Sequence, residues 1–545
     1  MLSTQGLRYG SLPDMIRCQA RQLGGRTAYI GPFRSWSYAE LDAESNRVAR
    51  ALLTVGVHPG DGVACLSRHG IECTLLLLAA GKIGAVATPL NWRLAVPELD
   101  YVIGVTQPKV LLFDEFLRET LDRVSMPSVV QRLMTEGGTE FESLSSWSVE
   151  QENSDPGATP GLDDTALRLF SSGTTGRPKA IELSHRALLT QCAEWAGPFG
   201  YREHETRHLN TLPTFHVSGV VNALWMLHLS GSAVFLPQFE PSEYLATIAR
   251  HRISDIFVVP AMLRALLDSP AMAGADLSSL KSIAYGGSPI DETLLEQCMA
   301  RFGCGFLQVY GMTEAAGAIT ALAPADHDPK GSKRHLMTSV GKPAAHVALR
   351  VVDPVTGTDR EAGEVGEVWI RSQQNMLGYF ADPAATQAAF PLGQDERGGW
   401  MRTGDAGYLE NGYLYLRDRI KDMIISGGEN IYSAEVEAAL AAHPAVLEAA
   451  VIGVPHDKWG ETVKACITLR PGNFTTEAEL IAHARVRLAH YKCPTSVDFV
   501  SALPRNPSGK ILKHQLREQY WKDRTPASGR PRVAPGAGVA ASERK

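Results

Sequence analysis

The chain has 545 residues, 44% of them hydrophobic and 21% charged, the balance of a globular protein with a sizeable core and not of a fibre or a low-complexity chain. Its 53 basic and 59 acidic residues leave a net charge of -6, which argues against a phosphate-tracking nucleic-acid binder. Eight cysteines (Cys18, Cys65, Cys73, Cys192, Cys298, Cys304, Cys466, Cys493) form no CxxC pair, so reduced thiols are expected in place of a disulfide scaffold or a zinc ribbon.

Up to Met15 no basic stretch precedes an apolar core, so an export signal is not expected and a cytoplasmic location is. A capping-box pattern, Ser37 with Glu40, opens a segment that carries Leu41, Val48, Leu52 and Val55 on one face and stops at Gly56, which predicts an amphipathic helix. Short β-rich runs follow at Val63 to Leu66, Ala85 to Thr88 and Val110 to Phe113, with a helical stretch from Glu72 to Ile83 between the first two. That alternation, kept up for about four hundred residues, predicts βα units around more than one largely parallel sheet. The two most apolar stretches, Thr74 to Leu90 and Gly219 to Pro237, are broken by Lys82 and Gly84 and by Asn222, His228 and Gly231, so no bilayer span is expected.

After Tyr408 the pattern shifts to short strands around Asn411-Gly412, a charged connector and a glycine turn. Helices over 434–443 and 478–492 and strands over 449–455 and 463–470 then form an α+β unit of about a hundred residues. The reading is therefore an α/β fold: a large N-terminal domain over 1–418 with mixed, largely parallel sheets flanked by helices, a hinge at 419–421, a small mobile α+β domain over 422–524, and a disordered tail over 525–545.

The strongest chemical signal is the run Ser171, Ser172, Gly173, Thr174, Thr175, Gly176, Arg177, Pro178 and Lys179 behind an apolar entry. Glycines let backbone N–H groups curl around an anion, hydroxyls add donors and cations neutralise charge. Walker A spacing is not met, because Pro178 separates Gly176 from Lys179 and Ala180 follows, which disfavours an ordinary kinase or GTPase. Alone, such a run also suits a ligand-free turn.

This loop is followed, in order, by YGMTE (Tyr310 to Glu314), TGD (Thr403 to Asp405), DRIKDMIISGGENIYSAEVE and PRNPSGKILK. Five motifs in that order over roughly residues 10–520 resemble the adenylate-forming acyl-CoA synthetase superfamily, with one departure at Ala180, where the family usually has glycine. The resemblance implies two half-reactions: a carboxylate attacks the α-phosphate of ATP to give an acyl-adenylate and pyrophosphate, and a thiol then displaces AMP. It implies ATP, Mg2+ and the co-substrate CoA, with a small hydrophobic carboxylic acid as partner; a homodimer is compatible with it.

Residue by residue, the resemblance assigns Lys510 to bridge carboxylate and phosphate oxygens, as a point charge offsetting anion repulsion. Glu314 and Ser171 would attend Mg2+, which takes hard oxygen ligands. Thr313 would donate to the α-phosphate, and Tyr310 and Gly311, with the turn Gly286, Gly287 and Ser288, would border adenine. Asp405 suits two ribose hydroxyls, because an ionised carboxylate only accepts, and Arg419 matches the second ribose-site position. Lys421 matches the hinge, and Gly427 and Gly428 the lining of a thiol channel. His216 resembles a histidine beside the acyl site, with Val217, Phe257, Val309, Gly311 and Ala316 as pocket positions suited to an apolar acid. The bland alternatives are a solvated lysine, surface ion pairs and structural turns.

His204, Glu205 and His208 spell HExxH, but their surroundings are polar throughout and run into a β-like segment, so a solvated loop is expected instead of a zinc-binding helix. The function read from the sequence is an AMP-forming acid:CoA ligase. Its alternative is an adenylating enzyme that loads a carrier protein, with a non-catalytic nucleotide binder and a zinc hydrolase as further classes.

Overall fold

The computed structural model describes residues 7–521 apart from 69, 137–139, 172–177, 397, 428 and 506–510. The chain divides into two compact units: a large one running to Thr403 and including Gly407–Leu416, and a small one made of Gly404–Ala406 and the chain from Arg417 onward. The expected tail over 525–545 lies outside the described residues.

In the large unit the predicted helix forms as Tyr38–Thr54, and its capping box closes as expected: the Ser37 hydroxyl accepts from the Glu40 N–H while Glu40 accepts from the Ser37 N–H. Gly62–Leu66, Val86–Pro89 and Val110–Phe113 are parallel strands of a seven-stranded sheet that continues to Gln131–Met134 on one side and Thr165–Phe170, Ala180–Ser184 and Gly378–Tyr379 on the other. Its last two pairings are antiparallel. A nine-stranded sheet has a parallel centre of Thr27–Ile30, Ser232–Phe235, Arg207–Asn210, Asp255–Val258, Ser282–Gly286 and Gly305–Met312, with antiparallel strands at both edges. Both sheets are therefore mixed and largely parallel.

The two apolar stretches explain the layering. Helices Gly70–Gly81 and Val217–His228 are buried around nearly their whole circumference because they pack on each other and on opposite sheets. One continuous core runs from sheet to sheet through them. Separate clusters cover the outer faces, under Pro241–His251, Pro260–Asp268 and Glu292–Phe302 on one sheet and Val96–Thr106 on the other. Among the described residues no helix is long and apolar enough to cross a membrane.

A four-stranded sheet ends the large unit, and its hairpin Met401–Glu410 and Tyr413–Arg419 turns at Asn411-Gly412, both at positive φ as a two-residue turn of this type requires. The small unit packs Ser433–Ala441 and Glu477–Arg485 on a five-stranded sheet.

Three expectations are corrected. Cys65 and Cys73 form a disulfide instead of staying reduced: Cys65 lies near the end of its strand and Cys73 one turn into the following helix, with Cα atoms 5.9 Å apart. The helix expected over 478–492 ends at Arg485, and His490–Lys492 is a separate 3-10 turn, because Val486 and Arg487 face solvent and give no apolar stripe to continue it. His208 does not belong to a solvated loop; it is fully buried in the strand Arg207–Asn210, whereas His204 and Glu205 are exposed on the preceding turn. The two histidines thus never share the helix face an HExxH zinc site needs.

Candidate active site

The loop with the strongest sequence signal is closed at its base by its own ends. The Ser171 N–H donates to the Lys179 carbonyl at 2.9 Å and the Lys179 N–H donates to the Ser171 Oγ at 3.0 Å. The flanking strands, Thr165–Phe170 and Ala180–Ser184, pair antiparallel and hold those ends in register. Ser172, Gly173, Thr174, Thr175 and Gly176 lie outside the described residues.

Tyr379 joins this base to Glu314. The Lys179 ammonium lies 4.8 Å from the centre of the Tyr379 ring, and the Tyr379 hydroxyl donates to Glu314 Oε1 at 3.1 Å. The short strand Gly378–Tyr379 sets the ring there by pairing with Ala180–Ser184, and the Met376 N–H fixes the Glu314 carbonyl at 2.7 Å. Sequence reasoning missed Tyr379, since nothing in LGYF announces a partner 65 residues upstream. The set combines a cation, hydroxyls and a carboxylate, which fits a polyphosphate and the hard-oxygen demand of Mg2+.

The parallel strands of the nine-stranded sheet bring the other nucleotide candidates to one edge. Gly286 pairs with Val309 across adjacent strands, which places Gly287 and Ser288 just beyond one strand end and Tyr310 and Gly311 along the other. Thr313 and Glu314 follow in the 3-10 turn Thr313–Ala315. Ligand sites of open α/β sheets form at such carboxyl ends.

Phe257, Val309 and Ala316 are buried in the main core, and Val217 packs against it half-buried. His216 precedes the helix Val217–His228, and its buried Nε2 has no hydrogen-bond partner among the described residues. Burial, reinforced by the nearby Arg93 guanidinium, lowers its pKa to about 4, so the ring is neutral at pH 7. A neutral imidazole can donate a hydrogen bond without adding charge. A cavity of about 610 Å3 between Arg68, Phe116 and Leu236 is lined by none of these residues.

In the small unit, Arg419 Nε lies 3.1 Å from Asp405 Oδ1. Gly427, at φ +60°, donates its N–H to the Trp459 carbonyl at 2.9 Å, and a Cβ added there would fall 2.7 Å from Trp459 Cε3. Any side chain there would have to displace the indole, so the turn calls for glycine. Lys421 belongs to a connector tied to the C-terminal helix Lys513–Glu518: Arg517 donates to the Lys421 carbonyl at 3.2 Å and pairs with Asp422 at 2.6 Å. Lys513 pairs with Glu437 at 2.8 Å and also donates to the Ser433 hydroxyl, which in turn donates to Asp418. Burial pulls the Lys513 ammonium down, but Glu437 and Asp418 outweigh it and hold its pKa above the usual value. Gly428 and Lys510 lie outside the described residues.

The chain thus carries a large α/β unit, in which Tyr379 joins Lys179 to Glu314, followed along the sequence by a small α+β unit. Residues 16–380 match the AMP-binding enzyme family and residues 435–510 the AMP-binding enzyme C-terminal domain, and the chain belongs to this adenylate-forming family. It is 35% identical to the fatty acid–[acyl-carrier-protein] ligase ScoC of Streptomyces coeruleorubidus, over 90% of this chain and 92% of that one. It is 36% identical to a feruloyl-CoA synthase of an Amycolatopsis species, over 95% and 100%. The crystal structure of ATP-bound MatB from Rhodopseudomonas palustris superposes with a TM-score of 0.83 at 31% identity, over 94% and 99%.

Proposed function

We propose that the protein activates a hydrophobic carboxylic acid with ATP, releasing pyrophosphate, and transfers the acyl group from the acyl-adenylate to CoA, giving acyl-CoA and AMP. The observation that carries this reading is the linkage of Lys179, Tyr379 and Glu314 at the base of the phosphate loop. Joining an anionic acid to a polyanion requires that charge be offset where it develops. Lys179 and the loop hydroxyls hold the phosphates, and Lys510 is assigned to the crowded oxygens of the carboxylate and α-phosphate. Thr313 donates to the α-phosphate, and His216 offers the carboxylate an N–H without a charge that would pair with it too tightly.

Glu314 and Ser171 are the residues that would hold Mg2+, whose charge would neutralise phosphate oxygens and orient them. Tyr379 keeps Glu314 from turning away. Asp405, braced by Arg419, accepts from the ribose hydroxyls. Lys421 is assigned to absorb the backbone rotation between half-reactions, and the Gly427-Gly428 turn to line the path of the thiol. Val217, Phe257, Val309 and Ala316 give the acid an apolar site. A cytoplasmic location, where ATP and CoA are both supplied, follows from this reading.

The acceptor has one alternative. The likeness to an acyl-carrier-protein ligase favours a carrier-bound phosphopantetheine thiol as a second reading. Both are tested by screening a panel of acids for labelled pyrophosphate exchange into ATP and then for AMP release with CoA or with a phosphopantetheinylated carrier protein. Exchange with no acid rejects the activation step; AMP release with the carrier alone rejects CoA. Lys421→Pro should impair thioester formation more than exchange, and equal losses would remove the hinge assignment.

A further inference from the structure

Gln191 lies on the helix His185–Trp195 and is fully buried, yet neither its Nε2 nor its Oε1 has a hydrogen-bond partner among the described residues. Leaving both ends of an amide unpaired in a core is costly, and native interiors rarely keep it unless something else supplies the partner. The amide packs on the turn that follows the Thr313–Glu314 pair: a Cβ at Gly317 would stand 3.1 Å from Gln191 Nε2 and 3.6 Å from its Oε1, so the glycine lets the amide lie directly against this turn.

Holding that turn in place is not the amide's task. The neighbouring Gln374 does so, donating from Nε2 to the carbonyls of Ala315 at 2.9 Å and Ala318 at 2.6 Å, with its own Oε1 taking the Trp195 N–H at 3.3 Å. Gln374 is satisfied on every side, whereas Gln191, beside the same turn, is satisfied on none. The Gln191 backbone carbonyl takes the Trp225 indole N–H at 3.1 Å, which locks the position of the residue without using its side chain. One turn before Trp225, Asn222 is also fully buried with Oδ1 unpaired, and His216 at the head of that helix has Nε2 unpaired. These three side chains without partners lie on, or at the head of, two helices that pack on each other beside the proposed acyl residues.

We infer that Gln191 is a specificity-determining residue, and that the acid this enzyme activates carries an oxygen function, a hydroxyl or a carbonyl, on its apolar body, which accepts a hydrogen bond from Gln191 Nε2. The inference rests on the proposed acid activation and sharpens its substrate class. A site that buries an amide for such a contact rejects the analogue lacking the oxygen, because binding then leaves the amide dry and unpaired.

The test is pyrophosphate exchange with matched acids, plain and bearing a hydroxyl or oxo group at successive positions along an alkyl chain or on an aromatic ring, for the wild type, Gln191→Leu and the length-matched Gln191→Met. In the wild type one oxygenated position should exceed its plain counterpart in kcat/KM by about 10- to 100-fold. In both variants that ratio should fall to near one, with exchange of the plain acid kept or raised and thermal stability raised, since the unpaired amide is gone. Equal use of plain and oxygenated acids by the wild type, or a ratio that survives both substitutions, overturns the inference and leaves the acid activation intact. Exchange with no acid at all overturns both.

Discussion

The two units differ in the buried polar groups they leave without partners. The large unit keeps uncharged groups without partners near its proposed chemistry, among them Gln191, Asn222 and His216. Both units pair the charges they shelter: Lys82 with Asp42 and Arg168 with Glu182 in the large one, and the largely buried Lys513 with Glu437 and Arg517 with Asp422 in the small one. An unpaired neutral group is costly, but a lone buried charge costs more, several kcal/mol, and must be met within the fold. Among the described residues no buried polar side-chain atom of the small unit lacks a partner, and its pairs tie the connector to the terminal helix.

Breaking one of those pairs should have the largest effect. Lys513→Met leaves the largely buried Glu437 without a cation, with the Val451 N–H as its remaining partner, and should destabilise the small unit by ~3–5 kcal/mol, read as lost hydrogen-exchange protection in the strands Val446–His456 and Gly460–Leu469. Replacing both partners by apolar residues should restore most of that protection, since no orphaned charge remains; if the double variant is as unstable as the single one, the pairing argument fails. Lys510→Ala should cut pyrophosphate exchange by on the order of 10²–10³, with acid affinity little changed. Undiminished exchange would withdraw its catalytic assignment.

A smaller effect is expected at the glycine turn. Gly427→Ala forces a Cβ into a left-handed conformation and against Trp459, at a cost of ~1–3 kcal/mol. Thioester formation should suffer more than pyrophosphate exchange, as rates of the two half-reactions would reveal. The smallest effect per group distinguishes the units by pH. Burial lowers the pKa of His185, His216 and His228 to about 4 and of His208 to about 3, all in the large unit. Each takes up a proton on unfolding below its ordinary value near 6.5, so its stabilising neutrality is complete above that pH and is lost as pH falls towards 4. The slope approaches about 1.4 kcal/mol per pH unit for each ring, and chemical denaturation between pH 7 and 4.5 should show the large unit losing stability first. A flat profile over that window would contradict the burial of these rings.

Features set by near neighbours were legible beforehand. The capping box at Ser37 and Glu40, the Asn411-Gly412 turn and the two-unit plan rest on contacts a few residues apart or on periodicity. What escaped was long-range: the Tyr379 hydroxyl on Glu314, the burial of His208 beneath neighbouring strands, and the Gln191 amide against Gly317. The Cys65–Cys73 bond, though local, depended on where one strand ends and the next helix begins.

The order of residues by itself determined which chemistry this protein carries, because backbone donors, hydroxyls and cations act through types and spacings that a linear chain displays. Tertiary structure alone decided which of those groups meet and which are left without a partner. Hydrogen bonds and burial are relations between atoms brought together from distant parts of the chain, and only folding creates them.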